Sequence, residues 1–443
     1  MMTEKTPKMA PEPCCNCGHL PDGKDDVPSR RASFRPEVRQ TITGAIDGLK
    51  KELTDVSLYI HANPELAYKE EKAHAKLCDY LASKGFKVHQ IPEVPTAFKV
   101  SYTRGSGGRT FGLNSEYDAL PEIGHACGHN LIAICGVGAL LAMQKAMDAH
   151  DIDGTVVLLG TPAEEGAGGK VDLLNAGAYE GIGACMMLHP GQGGEASGGA
   201  VIRSLAYQHI GVEYTGKPAH AGLAPWEGIN ALDAACTAYV GISAMRQQLK
   251  PEVRVQGVIS DGGGKAPNII PARSQMDYLV RAPTAADLEL VAEKVTGCFE
   301  GAARQTGCGV NIDREVLMFE LRNDKALSHE YAQVMGEMWD IPVRILLDQS
   351  MGASTDFGNV TFSMPACHPM YMIPAKGGNH THEFTAATRT ERAHEESFKA
   401  MGAMAAVGLR YLADETFAKD VQSTWETNMK EVKEEEQRIL GKK

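Results

Sequence analysis

The sequence predicts an α/β protein with a second, smaller α+β layer inserted into it, and three observations carry that reading. The chain has 443 residues, more than a single hydrophobic core usually covers, so two domains are expected. Short apolar runs alternate with stretches of helical spacing, the pattern of a largely parallel sheet flanked by helices. At about Leu205 this pattern gives way to strand-helix-strand-strand-helix-strand, and from about Asp324 the first pattern resumes.

Residues 1 to about 35 are polar, rich in Pro and charge, and read as a disordered leader without the apolar core of a signal peptide. Cys14, Cys15, Cys17 and His19 form a soft-ligand group there. It has no second half, and structural zinc normally wants four convergent ligands, so a floppy tail is the better reading. The first domain opens at 36. Spacing from Arg39 to Lys84 is helical, interrupted at His61-Ala62-Asn63-Pro64. Strands are expected over Phe98 to Tyr102, Thr110 to Leu113, Thr155 to Gly160 and Ala184 to His189, with a helix from Asn130 to His150. The inserted layer covers 206–319, with strands at 206–215, 252–260, 274–282 and 309–319 and helices at 228–250 and 284–306. Residues 320–443 return to the first domain and end in a charged helix near Leu440.

Composition narrows the function. A net charge of -12 argues against a nucleic-acid binder, because phosphate recognition needs clustered Lys and Arg. The 11 Cys are scattered and odd in number, which fits reduced thiols rather than a disulfide scaffold. No apolar run suggests a membrane span. Cytosol is the expected compartment.

Three short segments hold chemistry, and each follows an apolar strand, where open α/β sheets bind their ligands. After Leu113 come Glu116, Tyr117 and Asp118, then Cys127 and His129; after Gly160 come Glu164 and Glu165; His189 ends the next strand. Thiolate, imidazole and carboxylate are the ligand set of zinc and its neighbours. Paired glutamates add a division of labour, one binding metal while the other moves a proton during metal-assisted hydrolysis. Taken singly, a Cys among small residues is usually a buried hydrophobe, and two adjacent Glu are usually a solvated face. Their co-occurrence after consecutive strands raises the functional reading above these.

The sequence resembles metallopeptidase family twenty, the aminoacylase and carnosinase type, in the branch of auxin-conjugate hydrolases, aminobenzoyl-glutamate hydrolase and aminoacylase-like dipeptidases. The resemblance runs from about His61 to Ala406 and rests on six motifs in order. They are His61 to Leu66, Glu116 to Pro121, Gly124 to Asn130, Pro162 to Gly166, Lys217 to Gly222, and Asn379-His380-Thr381. It implies a zinc-exopeptidase-like catalytic domain and a ferredoxin-like inserted layer that serves as lid and homodimer interface. It implies a site for one or two divalent ions, zinc first, then manganese or cobalt, held by Cys127, His129, Glu165, His189 and His380. Glu164 would be general base and acid, and His220 would stabilise the oxyanion. Asn268 and Arg281 would hold the substrate carboxylate, since a guanidinium fork matches it bidentately.

Departures from the family pattern leave the metal number open. Asn130 stands where the nearest hydrolases commonly carry Asp, and Glu116 stands where relatives have His or Asp. His382 competes with His380 as last ligand, the Asn-His-Thr match favouring His380. His125 and Asp118 are expected beside the ligands, the loop Gly352 to Phe357 on the pocket wall, and His61 in a structural role. The expected reaction is hydrolysis of an amide next to a free carboxylate, in a dipeptide or, as the alternative, an N-acyl amino acid. A non-catalytic binding protein and a thiol hydrolase using Cys127 and His129 are the competing classes. Cys and His two apart on one loop point poorly for mutual hydrogen bonding, which favours the ligand role.

Overall fold

The protein is described here as a computed structural model covering residues 32–264 and 266–441. The leader with its Cys14, Cys15, Cys17 and His19 group lies outside the described residues.

The central sheet has six strands in the order His89–Gln90, Phe98–Arg104, Gly154–Thr161, Thr110–Glu116, Ala184–Met186 and Ala366–Cys367. Its inner members Gly154–Thr161, Thr110–Glu116 and Ala184–Met186 run parallel, and Phe98–Arg104 joins antiparallel. The Thr110–Glu116 strand is buried along nearly its whole length, which is why it reads as a continuous apolar run rather than an alternating one. The helix His129–His150 lies against this sheet, and helices Pro36–Ala62 and Glu391–Ala413 pack on it in turn. Gly136 permits the close approach: a Cβ there would sit 2.3 Å from Ser115 Oγ.

That helix corrects one expectation. His129–Ala149 is long and apolar enough to cross a membrane by length and composition, but 89% of the window is buried inside the protein. It is apolar because it is covered on all sides by sheet and helices.

The expected strand Ala184 to His189 is divided. Ala184–Met186 belongs to the central sheet, while His189–Gly193 belongs to a second sheet ordered Val343–Ser350, Gly199–Arg203, Met370–Pro374, His189–Gly193. The chain keeps one partner across the division: the amides of Cys185, Met187 and His189 donate to the carbonyls of Pro365, Cys367 and Pro369. A local hydrophobic pattern cannot register such a change of sheet. Its result is to present His189 where the two sheets part.

Residues 206–314 build a separate antiparallel sheet, ordered Gly309–Arg314, Ala206–Thr215, Arg273–Ala282, Arg254–Asp261. Helices Ala231–Ala244 and Ala285–Thr306 cover one face and enclose their own apolar core, including Ile210, Tyr214, Tyr278, Val295 and Phe299. Burial alternates strictly along Ala206–Thr215, as a sheet with one covered face requires. The Ala231–Ala244 helix begins later than its spacing predicts because Asn230 caps it, accepting from Leu232 N at 3.0 Å. The last strand stops at Arg314, and the chain returns beside its outgoing segment, Leu321 N donating to Ser204 Oγ at 3.0 Å.

Candidate metal centre

The predicted donors come from four separate segments of the chain. Cys127 precedes the buried helix beginning at His129, with Gly128 between them in the left-handed region (φ 85°). A Cβ at Gly128 would meet Pro190 Cγ at 2.5 Å, so the residue between the two donors has to be small. Glu164 and Glu165 leave the end of Gly154–Thr161, and His189 opens the strand of the second sheet. His380 comes from the far end of the chain, held by its own amide donating to Ala126 O at 2.8 Å.

These five donors and Glu164 converge. Cys127, His129 and His189 have ligand atoms within 4.8 Å of one another, as do Cys127, Glu165 and His380, and His129, Glu164 and Glu165. Cys127 Sγ lies 3.3 Å from His189 Nε2, and His380 Nε2 lies 3.5 Å from Glu165 Oε1. Asn379 fastens the same corner, its Nδ2 donating to Pro190 O at 3.1 Å.

Partners on the far side of each imidazole fix which nitrogen faces the cluster. His129 Nδ1 is 2.9 Å from Asp118 Oδ1, and His189 Nδ1 is 2.8 Å from Pro190 O. Both Nδ1 atoms therefore face these acceptors and both Nε2 atoms are turned to the centre, the arrangement that orients metal-ligating histidines. Asp118 also accepts from Glu165 N at 2.9 Å, so one buried carboxylate sets two donors.

The donor set fits a divalent cation on an observation internal to the protein. His129 Nε2 and Glu165 Oε1 are buried and have no hydrogen-bond partner among the described residues. Leaving two such atoms unpaired is costly unless something binds them. Soft thiolate, two inward imidazoles and a carboxylate suit zinc and neighbouring ions, and the two donor triads sharing Cys127 leave room for one ion or two.

Electrostatics separate the two adjacent glutamates. Burial, reinforced by Glu116, Glu165 and Asp356, holds the Glu164 carboxyl well above its ordinary range. Burial also acts against ionisation of Glu165, but the nearby His380 and the charge of His129 bring it below. Two carboxyls pushed in opposite directions are the arrangement expected of a proton carrier beside a ligand. Burial alone would lower His129, yet Asp118, Cys127 and Glu116 raise it well above the usual value. His189 is depressed to about 4 by burial, so its imidazole is neutral at pH 7. Burial and the Glu165 charge push the Cys127 thiol up, the reverse of an activated nucleophile.

The remaining sequence candidates divide. Asn130 points away from the cluster, its Nδ2 donating to Ser57 Oγ at 2.9 Å and Thr388 O at 3.1 Å. His61 bonds Thr385 O at 2.9 Å, and the buried His125 ring lies 6.2 Å from the His61 ring. His382 is exposed at the start of helix His382–Ala387. Arg281 reaches from the inserted layer to the loop at 352–357, its Nη1 donating to Ser354 Oγ at 3.2 Å and its guanidinium 5.1 Å from the Tyr207 ring centre. The Glu164 charge acts on it there. His220 and Asn268 stand together at an exposed edge of the inserted layer, Ala221 N donating to Asn268 O at 3.0 Å. Among the described residues neither is bonded to the cluster.

Two buried groups near the site escape the sequence reading. Lys170 lies with its ammonium between Glu116 and Asp356. His368 is buried with its ring 5.6 Å from that of His189. A Lys in a glycine-rich stretch and a His closing an apolar run carry no periodic signal that would single them out.

Comparison with known proteins identifies the family. The sequence profile of peptidase family M20/M25/M40 matches residues 112–412. The Xaa-Arg dipeptidase of Mus musculus is 37% identical over 401 residues, 87% of this chain and 91% of that protein. The Xaa-Arg dipeptidase of Homo sapiens is 36% identical over 393 residues, 82% and 86% of the two chains. A dinuclear metal-binding peptidase of the M20 family from Bacillus subtilis shares the fold with a TM-score of 0.61 and 17% identity, covering 83% of this chain and 99% of that one. With a matched profile over most of its length and relatives spanning nearly all of it, the chain belongs to peptidase family M20/M25/M40 and is a metal-dependent hydrolase of peptide or amide bonds.

Proposed function

We propose that the protein is a dipeptidase, cleaving the amide bond next to a free carboxylate, with a basic C-terminal residue as the first candidate. The observation that carries the chemistry is one buried donor cluster in which Glu165 stands with Cys127 and His380 while the adjacent Glu164 stands beside His129. The similarity to Xaa-Arg dipeptidases over nine-tenths of the mouse protein supports the substrate class.

Cys127, His129, Glu165, His189 and His380 would hold one or two divalent ions, zinc first, manganese or cobalt next. When bound, such an ion lowers the pKa of water and polarises a carbonyl. The chain's own groups do the rest. Asp118 keeps the His129 imidazole in its inward tautomer. Glu164 takes the proton of the attacking water and returns it to the departing amine nitrogen, and its raised proton affinity suits both transfers. Arg281 receives the substrate carboxylate from the inserted layer.

His220 and Asn268 act from a second copy of the chain in this reading, which accounts for their exposed position. The strand Arg254–Asp261 is an edge strand exposing Val258, and Tyr239 and Val240 are exposed on the covering helix, a surface suited to a homodimer. A reducing, cytosolic setting fits the eight described cysteines, all of which are free.

Glu164→Gln tests the mechanism. Losing a general base should lower kcat by about 10²–10⁴-fold while metal content stays at the wild-type level. Wild-type turnover in that variant would end the proposal. A purified, metal-loaded protein assayed on Xaa-Arg and Xaa-Lys dipeptides and on N-acyl amino acids decides the substrate. Bound metal without hydrolysis across the panel would make this a binding protein.

A further inference from the structure

Next to the donor cluster lies an acidic group with a different composition. Glu116, Glu164 and Asp356 are all buried, with carboxylate oxygens within 4.8 Å of one another. Three carboxylates at that spacing make an oxygen-only site of the type hard divalent ions favour. A cation bound there would take Glu164 as a ligand and remove it from proton transfer.

The place is already taken. Lys170 Nζ lies 2.5 Å from Glu116 Oε1 and 2.6 Å from Asp356 Oδ1, and the side chains of all three residues are fully buried. The main chain locks the arrangement, since Lys170 N also donates to Asp356 Oδ2 at 2.8 Å. Glu116 keeps its other oxygen without a hydrogen-bond partner, buried and 3.5 Å from His129 Nε2. Lys170 sits five residues beyond Glu165, so one short segment supplies the base, a metal donor and the ammonium.

We propose that Lys170 is a positioning residue, the resident cation of the Glu116–Glu164–Asp356 group. It keeps a divalent ion out of that group and reserves Glu164 for proton transfer, confining metal to the set of Cys127, His129, Glu165, His189 and His380. An ammonium suits the task because it is a compact charge with three donors and cannot be chelated away. The inference rests on the functional reading above for the role of Glu164, but its principal readout is metal stoichiometry, which does not depend on turnover.

The experiment compares wild type, Lys170→Met and Lys170→Met/Asp356→Asn after dialysis against manganese(II), with metal per chain measured by elemental analysis and kcat and KM measured on an Xaa-Arg dipeptide. Lys170→Met should gain about one manganese per chain and lose at least a hundredfold in kcat, with KM changed less than about threefold. The double variant, which removes one charge of each sign and leaves two carboxylates, should return to wild-type stoichiometry and recover at least tenfold of the lost kcat. Unchanged stoichiometry in folded Lys170→Met overturns the proposal. If Lys170→Met does not fold, the double variant decides: wild-type stoichiometry with kcat within tenfold of wild type supports it, and loss of turnover at wild-type metal content refutes it. A wild-type protein inactive on every amide would refute the functional reading instead, leaving the stoichiometry comparison intact.

Discussion

Asn130→Asp offers a direct test of how the site is bounded, because family pattern and structure give it opposite meanings. If the side chain faced the ions, the change would supply the carboxylate expected from the family pattern and would strengthen metal binding. In the structure Asn130 is buried and ties three helices together. Its Nδ2 donates to Ser57 Oγ on helix Pro36–Ala62 and to Thr388 O beyond helix His382–Ala387. Ser57 Oγ in turn lies 2.9 Å from His394 Nε2, while His394 Nδ1 lies 2.8 Å from Thr390 O. The proton order follows: Nδ1 donates to Thr390 O, Ser57 donates to Nε2, and Asn130 donates to Ser57. A carboxylate at position 130 has no protons for Ser57 or for Thr388 O. Two hydrogen bonds of about 1 kcal/mol each would be lost, and an unpaired buried charge brings the total to about 3–5 kcal/mol. That is a large part of a typical domain stability of about 5–15 kcal/mol. Guanidinium unfolding followed by tryptophan fluorescence would register it, since Trp339 is one of only 3 Trp and packs against Gly402 of helix Glu391–Ala413. The variant should unfold at clearly lower denaturant with metal content no higher than wild type. An unshifted midpoint together with tighter metal binding would refute the placement of Asn130.

Other outcomes follow from the same geometry. Arg281→Ala should lower kcat/KM on a dipeptide about a hundredfold, chiefly through KM, the scale expected when a buried charge pair with the substrate is broken. Amidating the substrate carboxylate should impose a similar loss on wild type and little further loss on the variant; equal losses in both would remove Arg281 from carboxylate recognition. The contributions of Asp324 and Glu70 to stability should fall with rising pH through the neutral range. Burial raises the carboxyls of Asp324 and Glu70 to about 7 each. Between an unfolded value near 4 and that native value, the native state holds protons that the unfolded chain has released. Their stabilising effect is complete below about pH 4 and lost as pH rises through 7. Asp324→Asn can still accept from Leu327 N, as Asp324 Oδ1 does at 2.9 Å, so it should retain the helix cap. Its unfolding midpoint should also lose less than that of wild type between pH 5.5 and 8. An identical decline in wild type and variant would contradict the assignment.

The features legible in the sequence are local and chemical. Apolar alternation marked the strands at 206–215 and 274–282, continuous apolar runs marked those before Glu116 and Glu164, and Cys127, His129, Glu164, Glu165 and His189, each just after an apolar strand, marked a donor set that the family resemblance completed with His380. These signals survive in one dimension because periodicity and residue type are properties of neighbouring residues. Tertiary structure alone decided where buried polar side chains turn. Asn130 finds its acceptor at Thr388, 258 positions away, and Lys170 finds Asp356, 186 positions away. His189 reaches the cluster because its strand changes sheets while keeping one partner. His220 and Asn268 share a loop edge that stands clear of the donors within one chain. A buried polar group is placed by partners that satisfy it, and those partners come together only when distant segments pack, so their choice is not written in any local stretch of the chain.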